Sequence, residues 1–515
     1  MKQADKFQAA QAAKAKAQQD ALEFFHDSRD TAYASVPVHG HRETWRIDSH
    51  KFWLWVARTL TEHLRFPPPK CLVNDAVEEF EMWAICDGPT LNVHVRVAEL
   101  GETIYLDLAN DEWQSLEISA DGWRAISEAP VKFRRDKAAD ALPRPVRGGE
   151  PRELSRFLNV RQQDEILLLA WLTYAFRPRG PYPILALSGV QGSGKSTLTK
   201  VLRALVDPSR AELSGVPRDE RSLVMAASNS RLLAFDNLSE IKPQMSDAFC
   251  RIATGGAHRE RKYYTNDGSE EMFVFQNPVI MNGISELPQR ADLLDRSILV
   301  HLEPISEEHR RTETAFWNDF EDARPRLLGA ILDVVSAGLR NVGQIQLPTM
   351  PRLADFCRWG CAVEQALGFD AGDFLNAYRL NLADANSMAL EMSCVAWTIH
   401  DFVMAQPDRI FLGTSLVLLQ ELNKHVELRE GLTGPLATVR KHPRWPKSAS
   451  ALSAEIARAA TNLATIGVLI ERGRTNAARW IRLEAAGTRD SDDCDDVPEK
   501  IVTERLAEEQ GVAPR

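Results

Sequence analysis

Ile184-Leu-Ala-Leu-Ser-Gly189-Val-Gln-Gly192-Ser193-Gly194-Lys195-Ser196-Thr197 is an apolar run followed by G-x-x-x-x-G-K-S. A short apolar run that ends in this pattern and continues as Leu-Thr-Lys-Val-Leu-Arg-Ala-Leu predicts a buried strand, a glycine-rich loop and a helix. Gly189, Gly192 and Gly194 let the backbone wrap closely, so that successive N–H groups point at one anion. The helix starting near Gly194 adds its positive N-terminal end. Lys195 is placed to reach the β- and γ-phosphates of ATP and the Ser196 hydroxyl to sit on Mg²⁺, with Ser193 and Thr197 completing the loop. The competing reading is an ordinary Gly-rich turn, which does not require the flanking strand and helix.

Composition sets the wider frame. The chain has 515 residues, 44% of them hydrophobic and 26% charged, with a net charge of −10. That is the balance of a globular protein of several domains. It excludes a generally basic nucleic-acid coat, so any DNA contact must come from local basic patches. The longest apolar run, Ile166 to Phe176, is too short to cross a bilayer, and the N-terminus lacks the apolar core of a signal peptide. The seven cysteines form no C-x-x-C pair. Reduced thiols, no membrane and a cytoplasmic location are therefore expected.

The chain divides by composition into seven stretches. Residues 1–44 are expected to be a helical or disordered lead, and 45–135 an α+β domain. In the latter, Val93, Val95 and Val97 alternate with polar residues, and Thr103–Leu108 follows a Gly101-Glu102 turn. Residues 136–150, rich in Pro, Gly and charge, read as a linker, and 151–304 as an α/β core around a parallel sheet. Helix-like apolar spacing marks 305–430. Residues 431–484 read as helix, helix and hairpin, the order of a small winged helix, with Leu452, Ile456 and Leu463 in its core. There Arg440, Lys441, Arg444, Lys447, Arg472, Arg474 and Arg479 gather positive charge, while Trp445 and Trp480 fit either a core or a docking face. The tail, 485–515, is acidic and expected to be disordered.

Within 151–304 further residues fit the phosphate loop. Arg231-Leu-Leu-Ala-Phe-Asp236 is an apolar strand ending in an acid, as a Mg²⁺-shell carboxylate requires. Asn277-Pro-Val-Ile-Met-Asn282 ends in an amide that could orient an attacking water, or could simply open an Asn-Gly turn. Arg290 and Arg296 are candidates for an arginine finger offered to a neighbour's nucleotide, with Arg296 preferred; such a finger is worth about 10³–10⁵ in rate. Between these strands, Arg259, Arg261 and Lys262 with Tyr263 and Tyr264 suit a loop gripping single-stranded DNA by charge and stacking, against the alternative of a solvated turn.

This order of motifs resembles the superfamily 3 helicases of the AAA+ class, specifically the phage, plasmid and poxvirus-type primase-helicase ATPases of bacterial mobile elements. The resemblance covers about 150–305 best. It implies that Gly189 to Ser196 bind ATP, Asp236 holds Mg²⁺, Asn282 and Arg296 act in hydrolysis, and Arg259, Arg261 and Lys262 touch DNA in the channel of a hexameric or similar ring. One position departs from the pattern: Asn237 stands where these ATPases carry a second acid, and an amide cannot take a proton from water. Glu240, three residues on, is the substitute candidate. A DNA-dependent ATPase that unwinds DNA is the leading expectation. A loader, regulator or defence ATPase without unwinding is the alternative, and a small-molecule kinase a more distant third.

Overall fold

The computed structural model describes residues 15–17, 20, 22–238, 241–261, 270–283, 290–391, 393–428, 445–474 and 479–485. It separates into two compact units, one of residues 1–287 with 296–378, the other of 288–295 with 379–515.

The first unit opens with an antiparallel sheet of β1 (Glu23–His26), β2 (Ala32–Val38) and β3 (His41–Arg46), backed by α1 (His50–Leu64) and α2 (Lys70–Met82). This corrects the expected helical or disordered lead over 1–44 from residue 23 onward. The reason is local: β2 is Ala-Tyr-Ala-Ser-Val-Pro-Val, buried at five consecutive positions, so its small residues show no alternation. Phe52, Val56 and Leu60, one face of α1, close the core against Val36 and Phe80.

A pair of short parallel strands, β4 (Val93–His94) and β9 (Lys132–Phe133), flanks a meander of β5 (Val97–Leu100), β6 (Thr103–Asp107), β7 (Ser115–Ser119) and β8 (Gly122–Ile126). The expected single strand through Val93, Val95 and Val97 breaks at Arg96, whose φ is +62°. Its guanidinium explains the break: it donates to Asp207 and to the carbonyls of Asp107, Asp140 and Pro208. Nor is 136–150 a loose linker. Leu142 is buried, and backbone hydrogen bonds tie Leu142 to Leu108 and Val146 to Pro325.

α3 (Gln162–Tyr174) is apolar all round and buried on every side from Ile166 to Tyr174. It leads to the central sheet, built from β10 (Ile184–Gly189), β11 (Leu233–Phe235), β14 (Val279–Asn282) and β15 (Ser297–Leu302). All pairings are parallel, in the order β11-β14-β10-β15. The α/β core with a parallel sheet is thus as expected. The crossovers use α4 (Lys195–Val206), α5 (Glu220–Asn229) and α6 (Pro243–Thr254), and an antiparallel hairpin, β12 (Gly256–Arg261) with β13 (Glu270–Phe275), projects between α6 and β14. α8 (Glu313–Asn341), which follows the short α7 (Ala291–Leu294), ties the core to the meander: Trp123 donates to Asp333 and Arg340 to the carbonyl of Ala120. The expected N-terminal domain, linker and core therefore form one unit, which also includes α9 (Ala354–Val363).

The division falls within α10 (Asp373–Glu391). The second unit contains, besides α7, α11 (Cys394–Met404), β16 (Ile410–Gly413), α12 (Ser415–Glu427), α13 (Ala449–Thr465) and the hairpin β17 (Val468–Arg474) with β18 (Arg479–Ala485). Its sheet runs β16-β18-β17. One core takes Ile399, Phe402, Leu418, Leu422, Leu452, Ile456, Leu463 and Leu483 together with Trp445. This C-terminal body thus begins near 394, not 431. β16 supplies an edge strand that four residues of weak periodicity do not announce, and one helix, α13, stands where two were expected after 445. The tail 486–515 and the basic residues Arg440, Lys441 and Arg444 lie outside the described residues. Among the described residues, no helix is long and apolar enough to cross a membrane.

Candidate functional site

Three parallel strands end side by side. β10 delivers Gly189, its neighbour β14 delivers Asn282, and β11, one strand further, delivers Asp236 just past its end. With strands about 4.8 Å apart, Asp236 stands roughly 10 Å to the side of the phosphate loop. That gap lies at the carboxyl ends of the strands, where open α/β sheets bind ligands.

The loop is built as its sequence requires. Gly189 has φ +149°, and a Cβ there would sit 2.4 Å from the carbonyl oxygen of Leu302. Gly194, at φ +88°, forms the N-cap of α4. Ser193 is fully buried, while Ser196 and Thr197 stand half-buried on the first turn. Lys195 is 8% exposed, and its Nζ donates to the carbonyls of Gly189 at 2.7 Å and Val190 at 2.9 Å. Among the described residues it makes no ion pair with a carboxylate. Burial lowers its pKa, and the charge of Asp236 opposes that shift. An ammonium held on main-chain carbonyls, short of a counter-charge, is a fitting seat for an anion.

Asn282 is 1% exposed and its amide is bonded on both sides. Nδ2 donates to Thr199 Oγ1 at 2.9 Å, and Oδ1 accepts from the backbone N–H of Asn237 at 3.2 Å. Thr199 in turn donates to the carbonyl of Lys195 at 2.9 Å. A single chain of hydrogen bonds thus joins the acidic strand tip to the helix that carries Lys195. Asn237 itself adopts φ +63°, a left-handed conformation that Asn tolerates better than most residues. Glu240 lies outside the described residues. Two residues here were missed by sequence reasoning, Thr199 and Asn159. The latter donates to the carbonyls of Ser193 at 2.9 Å and Glu303 at 2.7 Å, clamping the phosphate loop to the end of β15.

The structure does not bring Arg296 to this site. Its carbonyl accepts from the N–H of Ile184 at the start of β10, whereas the phosphate loop begins after the end of that strand. Five residues of strand make that about 17 Å. Its guanidinium lies 3.9 Å from Cys250 Sγ. Arg290 pairs with Asp292. The expected DNA loop is in part a strand: Arg259 and Arg261 stand on β12, with Arg259 exposed. Lys262, Tyr263 and Tyr264 lie outside the described residues. On the other side of the hairpin His258 reaches Glu220, which also holds Arg251 at 2.6 Å.

No curated protein matches the chain. Among solved structures, the apo C-terminal region of NrS-1 aligns over 92% of this chain and 98% of its own, at 10% identity and a TM-score of 0.42. The same region, residues 305–718, aligns over 93% and 100% at 10% identity and a TM-score of 0.37. Overlap that loose decides neither fold nor function. Family models are specific: residues 152–388 match the actinomycete integrative conjugative element replication protein, and residues 395–496 match the C-terminal domain of the same replication protein. The first segment takes the sheet with its phosphate loop but not the N-terminal part of the same unit, the second takes the helix-and-hairpin body, and together they identify the chain as a replication protein of the actinomycete integrative conjugative element family.

Proposed function

We propose that this replication protein is an ATP-driven DNA motor, a superfamily 3 ATPase of the AAA+ class that works as a helicase on the mobile element. The observation that carries this reading is the convergence of Lys195, Ser196, Asp236 and Asn282 on one end of the parallel sheet β11-β14-β10-β15. Lys195 leaves its two carbonyls for the β/γ-phosphates of ATP, and the N–H groups from Gly192 to Ser196 hold the phosphates from below. Mg²⁺, when bound, neutralises charge developing on the transferred phosphoryl group. Ser196 and Asp236 are the residues that would hold it. Asn282 fixes the distance between Asp236 and Lys195 through Thr199, a positioning role in place of the direct water contact expected from its strand-tip location. Arg296, remote from its own loop, acts on the nucleotide of a neighbouring copy, which is why a ring of subunits is part of the proposal. Arg259, exposed on the β12–β13 hairpin, is offered to single-stranded DNA, with Arg261 and Lys262 just after it in sequence as further candidates, and the second unit, by its order of helix, strand, two helices and hairpin, is read as a winged helix.

A second reading stays open because of Asn237. Without a second acid at that position, the described site lacks an evident general base. A slow, switch-like ATPase that loads or regulates other factors would need none of higher efficiency. Strand displacement on a forked DNA separates the two. The motor reading expects unwinding with ATP and Mg²⁺ and none with a non-hydrolysable analogue. Robust ATP turnover with no unwinding of any fork would favour the loader or regulator.

A further inference from the structure

The hairpin β17–β18 has two unlike faces. Arg474 lies directly opposite Arg479, and Arg472 opposite Ile481, so all three arginines share a face with Ile481 and Leu483. Ile481 and Leu483 are buried in the core of the unit, whereas Arg472, Arg474 and Arg479 are exposed. The core face of the hairpin therefore turns into a basic face where it runs past the body. The acids sit on the opposite face: Glu471 and Glu484 both hold Arg482. On that opposite face Trp480 also lies flat on Gly473, where a Cβ would come within 2.3 Å of the indole, which stiffens the hairpin end.

Two like charges in directly opposed positions destabilise a strand pair. Among the described residues neither Arg474 nor Arg479 has a carboxylate partner that would offset this. Arg472 reaches back to the carbonyl of Ser453 at 3.3 Å, which sets the basic face beside the first turns of α13. Lys447, exposed just before that helix, adds to the same positive end. Along the described side chains of α13, alanine predominates at the exposed positions. Among its described side chains the exposed ones are Ser450, Ala454, Ala457, Arg458 and Ala464, and Arg458 is paired with Glu455. Sequence readout in a groove needs side chains that donate or accept at base edges, and alanine does neither.

We infer that the second unit binds duplex DNA through the arginine face of the β17–β18 hairpin, on the phosphate backbone and without sequence preference. This deepens the motor reading by adding a duplex contact to the single-strand contact of the β12–β13 hairpin. Arginines in a row on a stiff hairpin match the spaced phosphates of one DNA strand, and the opposed pair becomes favourable once a phosphate lies between them.

The test uses the full chain, two unrelated short duplexes carrying a fluorophore, and a salt titration of binding. Arg472→Ala/Arg474→Ala/Arg479→Ala is compared with the unsubstituted chain and with Arg458→Ala. The triple variant should show a salt slope shallower by about 0.9 for each phosphate it no longer neutralises, or roughly two to three in all, equally on both duplexes. Arg458→Ala should leave the slope where it was. An unchanged slope in the triple variant overturns the inference and favours a protein partner for this face. So does a loss confined to one duplex, or an equal loss in Arg458→Ala. Arg474→Glu with Arg474→Lys gives the same comparison if the triple variant misfolds: the first should weaken binding and the second restore it. ATP hydrolysis is read alongside. Its absence in the unsubstituted chain, both without DNA and with single-stranded DNA added, would remove the motor reading while leaving the hairpin comparison standing.

Discussion

Lys195 and Asn282 differ in how much of their role is local. The setting of Lys195 is local: the glycines that bend the loop and the carbonyls that hold its Nζ lie within six residues, so its place was legible in the sequence. Asn282 was legible as an amide at a strand tip, but its partners Thr199 and Asn237 are 83 and 45 residues away and only the sheet order β11-β14-β10 brings them together. Asn159 gave no signal at all, because its two acceptors are 34 and 144 residues distant. Asn282→Ala is expected to leave the Asn237 N–H unpaired in a buried place and to take from Thr199 Oγ1 the donor it accepts, at a cost of about 1–3 kcal/mol in denaturant unfolding. ATP turnover should fall more than ATP binding, since the distance from Asp236 to Lys195 is loosened while the phosphate loop stays intact. Equal stability and unchanged turnover would remove Asn282 from the site. A separate acid-side effect belongs to Glu43. Burial raises its pKa, but hydrogen bonds from Lys51, Trp45 and His41 outweigh that and hold it below the usual carboxylate value. A depressed folded pKa stabilises the fold above the unfolded pKa and is lost as pH falls through the folded one. The unfolding midpoint of Glu43→Gln should therefore drop less than that of the unsubstituted chain on acidification below about pH 4–5.

Among the elements, α4 and β11 meet at one carboxylate. Asp207 caps the end of α4, accepts the N–H groups of Arg231 and Leu232 at the entry to β11, and accepts Nε of Arg96 from the meander. The lysine-bearing helix, the acid-bearing strand and the N-terminal part of the first unit are thus pinned together by a buried ion pair. Removing one partner of such a pair leaves an uncompensated buried charge, so Asp207→Ala should cost about 3–5 kcal/mol by chemical denaturation. Asp207→Asn, which keeps an acceptor for the two backbone donors, should cost less. A loss under about 1 kcal/mol for Asp207→Ala would mean that Arg96 finds water instead, as exposed pairs do. Element types were legible wherever periodicity was strong, as in β6, α13 and the β17–β18 hairpin. β2 was hidden by its small buried residues, and the break at Arg96 by a positive φ that only its distant hydrogen bonds stabilise.

For the whole molecule, the divisions read from composition follow chain chemistry rather than packing. The Pro- and Gly-rich stretch 136–150 is pinned by backbone hydrogen bonds to Leu108 and Pro325, and α8 ties the core to the meander, so three expected domains are one unit. Arg296 makes the assembly testable. At about 17 Å along the strand from its own phosphate loop, it cannot serve that loop without unfolding β15. Arg296→Ala should bind ATP normally and hydrolyse it poorly. Mixed with Lys195→Ala, it should regain part of the activity, because a mixed ring can pair an intact loop with an intact finger. No recovery in rings shown to be mixed would place the finger elsewhere, with Arg290 next. The central claim is that Lys195 in its glycine loop drives ATP hydrolysis. It is tested most directly by Mg²⁺-dependent ATP turnover of the full chain, with and without single-stranded DNA, beside Lys195→Ala of matched stability. The account predicts turnover that DNA stimulates in the unsubstituted chain and none above background in the variant. Equal turnover in both, or none in either, would contradict it.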